Sequence, residues 1–171
     1  PPFLWLLLQG RYGAALLLFT IAGFSDALDG FLAKRYGWTS DLGGILDPIA
    51  DKLLLVGAIL VLGWLEVLPL WLVVLVILRD AMIVAGAVSY HLMIERIRPH
   101  PLLISKLNTL LQLVLVFVVI AHRGLMPLPD WLPTGLLYLT AITTIWSGLA
   151  YVWRWGRSAW HTAQGLSPPT E

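Results

Sequence analysis

Cysteine is absent from the 171 residues, which excludes both a disulfide framework and a thiolate metal site. Charge is also scarce. Asp, Glu, Lys and Arg together make up 12 % of the chain, where a soluble domain carries about a quarter. The formal net charge of +1 offers no broad basic face, which argues against a nucleic-acid partner. Internal repeats and low-complexity segments are missing as well. What remains is largely hydrocarbon, with 58 % of the residues hydrophobic. This composition predicts an all-α integral membrane protein, and the length suits a single domain over 1–171.

A helix needs about 20 mostly apolar residues to cross a bilayer. The apolar runs predict a six-transmembrane-helix bundle. An incomplete first span ends near Leu8, and five more follow over roughly Tyr12–Lys34, Gly43–Gly63, Leu68–Met93, Leu103–Ala121 and Gly135–Trp155. Proline and glycine punctuate the gaps, as in "RGLMPLPDWLP" from Arg123 to Pro133. The first run is too short to span, so the expectation is a truncated first helix rather than a signal peptide. Charge then orients the bundle. If the second helix ends inside, the inner loops and tail hold Lys34, Arg35, Arg96, Arg98, Lys106, Arg154 and Arg157, and the other side only Arg11 and Arg123. By the positive-inside rule the segment around Lys34 faces the cytoplasm, as in a bacterial inner membrane. Trp64, Trp71, Trp131 and Trp153 fall near span ends, where an interfacial aromatic belt lies, and "WRWGRSAWH" suits an interface anchor.

The acid is not spread evenly. Ser25–Lys52 carries five aspartates in 28 residues, and the rest of the chain carries only two. Asp26 and Asp29 are three apart and Asp47 and Asp51 four apart, so each pair shares one helix face. Gly30, Ala33 and Gly43 continue those faces with residues too small to block a ligand. Four carboxylates on consecutive helices repel one another unless cations are present. Hard oxygen ligands suit Mg²⁺ or Mn²⁺, and a pair of such ions is a recurrent device for displacement at phosphorus. Asp41 precedes a helix and suits a cap instead. Pairing with Lys34, Arg35 and Lys52 is the structural alternative for the other four, but ionisable residues within spans are costly and mark function. Pro48 marks either the first turn of the third helix or a kink.

The segment resembles the signature of the CDP-alcohol phosphatidyltransferases, D-x2-D-G-x2-A-R-x8-G-x3-D-x3-D. It reads Asp26, Asp29-Gly30, Ala33-Lys34, Gly43, Asp47 and Asp51, with eight residues between Lys34 and Gly43. Lys34 stands at the arginine position, which keeps the charge but loses the bidentate fork. The resemblance implies a six-helix homodimer that transfers a phosphatidyl group from CDP-diacylglycerol to an alcohol and releases CMP. It implies two divalent ions, Mg²⁺ or Mn²⁺, held by Asp26, Asp29 and Asp47. Asp51 is then the general base and a further metal contact. Asp29, Gly30, Ala33, Lys34 and Gly43 line the CDP pyrophosphate.

Two further patches bear on the acceptor. Arg79 and Asp80 fall within the fourth helix, where a mutual salt bridge competes with acceptor binding. Lys106, Asn108, Thr109 and Gln112 open the fifth, where a helix-packing hydrogen bond is the alternative. These stretches, with "AITTIWSGLAYVWRWGR", resemble the cardiolipin-synthase branch of the family, and the phosphatidylglycerophosphate-synthase branch is close to it. Arg79, Lys106 and Asn108 are the candidate acceptor contacts. The expected acceptor is phosphatidylglycerol, with glycerol 3-phosphate as the alternative. An intramembrane prenyltransferase would normally carry its two Asp-rich motifs far apart. A divalent-cation carrier would need neither the small-residue spacing nor the placement at a membrane face. The four histidines are scattered and carry no assignment.

Overall fold

A computed structural model describes residues 2–36, 43–93 and 103–163, excluding the side chains at 26, 27, 30, 31, 33, 34, 36, 43–50, 87–93 and 154–163. The described residues are all helical in their regular structure. Six helices follow in order: α1 (Pro2–Leu8), α2 (Tyr12–Tyr36), α3 (Gly43–Trp64), α4 (Leu70–Met93), α5 (Leu103–Gly124) and α6 (Trp131–Ala163). Of these, α5 and the Trp131–Trp153 part of α6 are long and apolar enough to cross a membrane.

The boundaries follow local chemistry. Helix α1 stops because Gly10 adopts a left-handed φ of 70°. This lets the Gly10 amide reach Leu7 O at 2.9 Å and the Arg11 amide reach Leu6 O at 2.9 Å, the paired closure of a Schellman cap. Helix α3 ends in the same way, with Glu66 at φ 55° and the Val67 amide on Leu62 O at 2.9 Å. Pro69 lacks an N–H and so lies just before α4, where its carbonyl accepts from Leu72 at 3.0 Å. Two expected edges move. Helix α6 begins at Trp131 rather than Gly135, because Pro133 within a first turn gives up an amide that has no helical partner there. It also runs on to Ala163, through the tail expected to anchor at the interface. Pro48 is the sixth residue of α3, beyond the first turn, and the helix continues through it.

The chain runs up and down. Helix α1 packs on α2 and α3, and α5 on α2, α3 and α6, so α1 and α5 each bridge the two aspartate-bearing helices. At one end the start of α2 meets the end of α5 so closely that a Cβ on Gly124 would lie 2.6 Å from Tyr12 Cβ and 2.7 Å from Gly13 N. Helix α4 runs parallel to α6: Trp71 stacks on Tyr138 with ring centroids 6.4 Å apart, and Arg79 bonds Ser147 farther along. One apolar core joins Phe3, Leu7, Phe19, Ile59, Leu72, Val116 and Ile120. The outer surface is also apolar, with Trp64 and Trp131 exposed at helix ends and Leu78, Ile142, Leu149 and Trp153 exposed along helices. A lipid environment removes the cost of exposing such side chains to water.

Candidate active site

The aspartates lie on the last turns of α2 and the first turns of α3. Only residues 37–42 separate these helices. Even fully extended, that connection reaches about 25 Å, whereas the 25-residue α2 is about 37 Å long. The acidic end of α2 and the acidic start of α3 therefore belong to the same end of the bundle. Helical geometry then separates Asp26 from Asp29 by about 60° around the axis, and Asp47 from Asp51 by about 40°. Each pair shares a face, as the spacing predicts.

Asp29 and Asp51 are exposed carboxylates. For Asp26, Gly30, Ala33, Lys34, Gly43 and Asp47 the helical backbone is described and the side chains are not, while Asp41 lies outside the described residues. Among the described residues no cluster of three metal-binding side chains forms, and that set does not contain the side chains of Asp26 and Asp47.

Beside this acidic end lies a buried polar hub. Lys52 follows Asp51 in sequence, and its ammonium sits 3.5 Å from Asp80 Oδ1. Arg79 Nη1 donates to the same oxygen at 2.7 Å. Arg79 itself is only 4 % exposed. Its Nη2 donates to Ser105 Oγ and to Ser147 Oγ, both at 2.6 Å, and its Nε lies 3.2 Å from Ser147 Oγ. One guanidinium thus joins α4, α5 and α6, and Asp80 extends the network to α3. A buried cation demands such partners, because an uncompensated charge in this setting is expensive.

The other acceptor candidates divide by exposure. Asn108 is fully buried, and its Oδ1 accepts from Thr143 Oγ1 at 2.8 Å and Thr144 Oγ1 at 2.9 Å. Lys106 is exposed and makes no ion pair among the described residues. It lines an open groove with Ser105, Thr109, Leu110 and Leu113. The roles of Ser105 and Ser147 escaped sequence reasoning. The available signal was the run Thr140, Thr143, Thr144 and Ser147, hydroxyls at three- and four-residue spacing that mark one polar face of α6.

The profile of CDP-alcohol phosphatidyltransferases matches residues 1–146 of the chain. The chain belongs to the CDP-alcohol phosphatidyltransferase family. This is a family of membrane enzymes of phospholipid biosynthesis. Within it, the chain is 41 % identical over 99 residues to a cardiolipin synthase (CMP-forming) of Streptomyces coelicolor, covering 53 % of this chain and 46 % of that protein. It is 32 % identical over 170 residues to the human cardiolipin synthase (CMP-forming), covering 90 % and 56 %. It is also 34 % identical over 166 residues to the chloroplastic CDP-diacylglycerol–glycerol-3-phosphate 3-phosphatidyltransferase 1 of rice, covering 86 % and 50 %. The chain spans about half the length of the curated relatives it matches.

Proposed function

We infer that this phosphatidyltransferase takes CDP-diacylglycerol and an acceptor alcohol, and releases CMP and a new phospholipid. The observation that carries this reading is the full spaced aspartate signature on two helices whose acidic ends share one end of the bundle. Family membership sets aside the cation carrier and the prenyltransferase.

The donor set fits hard divalent cations, since it offers carboxylate oxygens without thiolate or clustered imidazole. Asp26, Asp29, Asp47 and Asp51 would hold two Mg²⁺ or Mn²⁺ ions. Ions held there would supply positive charge against the pyrophosphate and the leaving phosphate. Asp29, Gly30, Ala33, Lys34 and Gly43 line the CDP end, with glycine and alanine leaving room for it. The acceptor hydroxyl oxygen attacks the phosphorus bearing diacylglycerol. A new P–O bond forms, the bond to the bridging pyrophosphate oxygen breaks, and CMP leaves with that electron pair. The exposed Asp51 carboxylate takes the hydroxyl proton.

The acceptor we assign is phosphatidylglycerol, giving cardiolipin, with Lys106 attracting its phosphate and Leu110 and Leu113 beneath it in the groove. Arg79 and Asn108, with their side chains engaged by protein partners, support this surface from within. The remaining helices join α5 and α6 in the membrane, the acidic end faces the cytoplasm, and the protein is a homodimer. Glycerol 3-phosphate is the second reading, favoured by the rice relative. The test supplies purified protein in lipid with Mg²⁺ or Mn²⁺, CDP-diacylglycerol and each acceptor separately. Cardiolipin from phosphatidylglycerol is the expected product. Phosphatidylglycerophosphate as the sole product would overturn the acceptor assignment and leave the aspartate mechanism intact.

A further inference from the structure

The α5–α6 seam carries a polar ladder whose register can be read from its bonds. The helices are antiparallel, and Asn108 on α5 meets Thr144 on α6. One turn toward the acidic end, Ser105 and Ser147 are joined through Arg79. One turn in the other direction, the same register sets Gln112 opposite Thr140. These residues make three rungs, each polar on both sides, in a bundle that is otherwise mostly hydrocarbon.

The outermost rung, Ser105 and Ser147, has its partners within the protein. The innermost does not, and the middle one does only in part. Asn108 Nδ2, Gln112 Nε2 and Thr140 Oγ1 are fully buried and have no hydrogen-bond partner among the described residues. Asn108 is 0 % exposed, Gln112 1 % and Thr140 0 %. The Thr143 and Thr144 hydroxyls each have two partners within reach, the Asn108 amide and a carbonyl one turn back. Exchanging the nitrogen and oxygen of the Asn108 amide turns its orphan from a donor into an acceptor but does not remove it, because both threonines approach the same side of the group, and a water can serve either. Two amide groups and one hydroxyl, in a seam that lipid cannot enter, are left wanting a small polar ligand.

Water has the right size and valence. Buried waters characteristically make about three hydrogen bonds to groups that would otherwise lack one. The two inner rungs, four residues apart on each helix, lie about 6 Å apart along the axis. A water bonded at about 2.9 Å to each side closes such a gap. We propose that the two inner rungs of the α5–α6 seam form a buried water site, in which Asn108 Nδ2, Gln112 Nε2 and Thr140 Oγ1 hold a water molecule between them. The water continues the polar line that starts at Arg79, and it relieves donors that hydrocarbon would strand. It also gives α6 a reason to keep Thr140 polar where a valine would fill the same space.

The protein provides its own probe, because Asn108 is the only asparagine in the sequence. Labelling with ¹⁵N-asparagine therefore gives a single side-chain amide signal. In water-edited solid-state NMR of the full chain in bilayers, magnetisation from water should reach that amide rapidly. In a uniformly ¹⁵N-labelled sample it should reach the backbone amide of Val116, buried in the apolar core two turns along α5, only slowly. In Gln112→Leu/Thr140→Val, which removes two of the water's three partners, the transfer to Asn108 should be lost while Val116 is unchanged. Transfer to Asn108 as slow as that to Val116 in the unmodified protein would overturn the proposal. So would magnetisation arriving from lipid headgroup or acyl protons instead. No activity is measured, so the result is independent of the acceptor assignment.

Discussion

Replacing Arg79 by methionine tests whether the polar hub holds the bundle together. Methionine keeps the length of the stem and removes every donor. Four contacts vanish, to Asp80, Ser105 and twice to Ser147. The larger penalty falls on Asp80, whose side chain is only 11 % exposed and, among the described residues, would keep only Lys52 at 3.5 Å. Breaking a buried pair by removing one partner costs about 3–5 kcal/mol. Lys52 remains as a partial partner, so the lower part of that range, about 3 kcal/mol, is expected. Arg79→Lys should still lose about 1–3 kcal/mol, since one ammonium cannot reach partners on three helices as the planar fork does. Arg79→Met/Asp80→Leu should be less destabilised than the single Arg79→Met, because no buried carboxylate is left behind. Reversible unfolding in mixed micelles, followed by tryptophan fluorescence, measures all three. If Arg79→Met falls within about 0.5 kcal/mol of the unmodified protein, or if the two changes simply add, the hub is not a stabilising network.

Asn at Asp26, Asp29 or Asp47 should nearly abolish phosphatidyl transfer without preventing membrane insertion. Full activity surviving any two of these changes would disprove the metal-site reading. Asp51→Asn should slow the chemical step by about 10²–10⁴-fold, with CDP-diacylglycerol binding weakened far less, and an equal loss in binding would make Asp51 mainly a ligand. Gly124→Ala should destabilise by about 1–3 kcal/mol, because its Cβ would meet the backbone of Gly13 rather than a side chain able to swing away. Gly135→Ala, with nothing within 4 Å, is the control in the same unfolding assay.

The number, order and approximate limits of the helices follow from the sequence alone, because apolar runs of this length have few alternatives to helix in a bilayer. The pairing of Asp26 with Asp29 and of Asp47 with Asp51 is equally local. It needs only 3.6 residues per turn, and the short 37–42 connection brings the two pairs to one end. Local rules also explain the displaced edge of α6, since proline in a first turn gives up nothing.

The partners of Arg79 could not be read in this way. Ser105 lies 26 residues away in sequence and Ser147 lies 68 away, and each is an ordinary small residue until helix packing brings it to the guanidinium. Whether Lys52 turns toward Asp51, its neighbour in sequence, or toward Asp80 on another helix depends on how α3 and α4 pack, and the structure places it at Asp80. The burial of Asn108 against Thr143 and Thr144 rests on the antiparallel register of α5 and α6, which is set by side-chain packing over the whole interface. Sequence fixes which face a residue occupies on its own helix. Only the tertiary structure decides what that face meets, because contacts between helices depend on rotations and offsets to which every packed residue contributes.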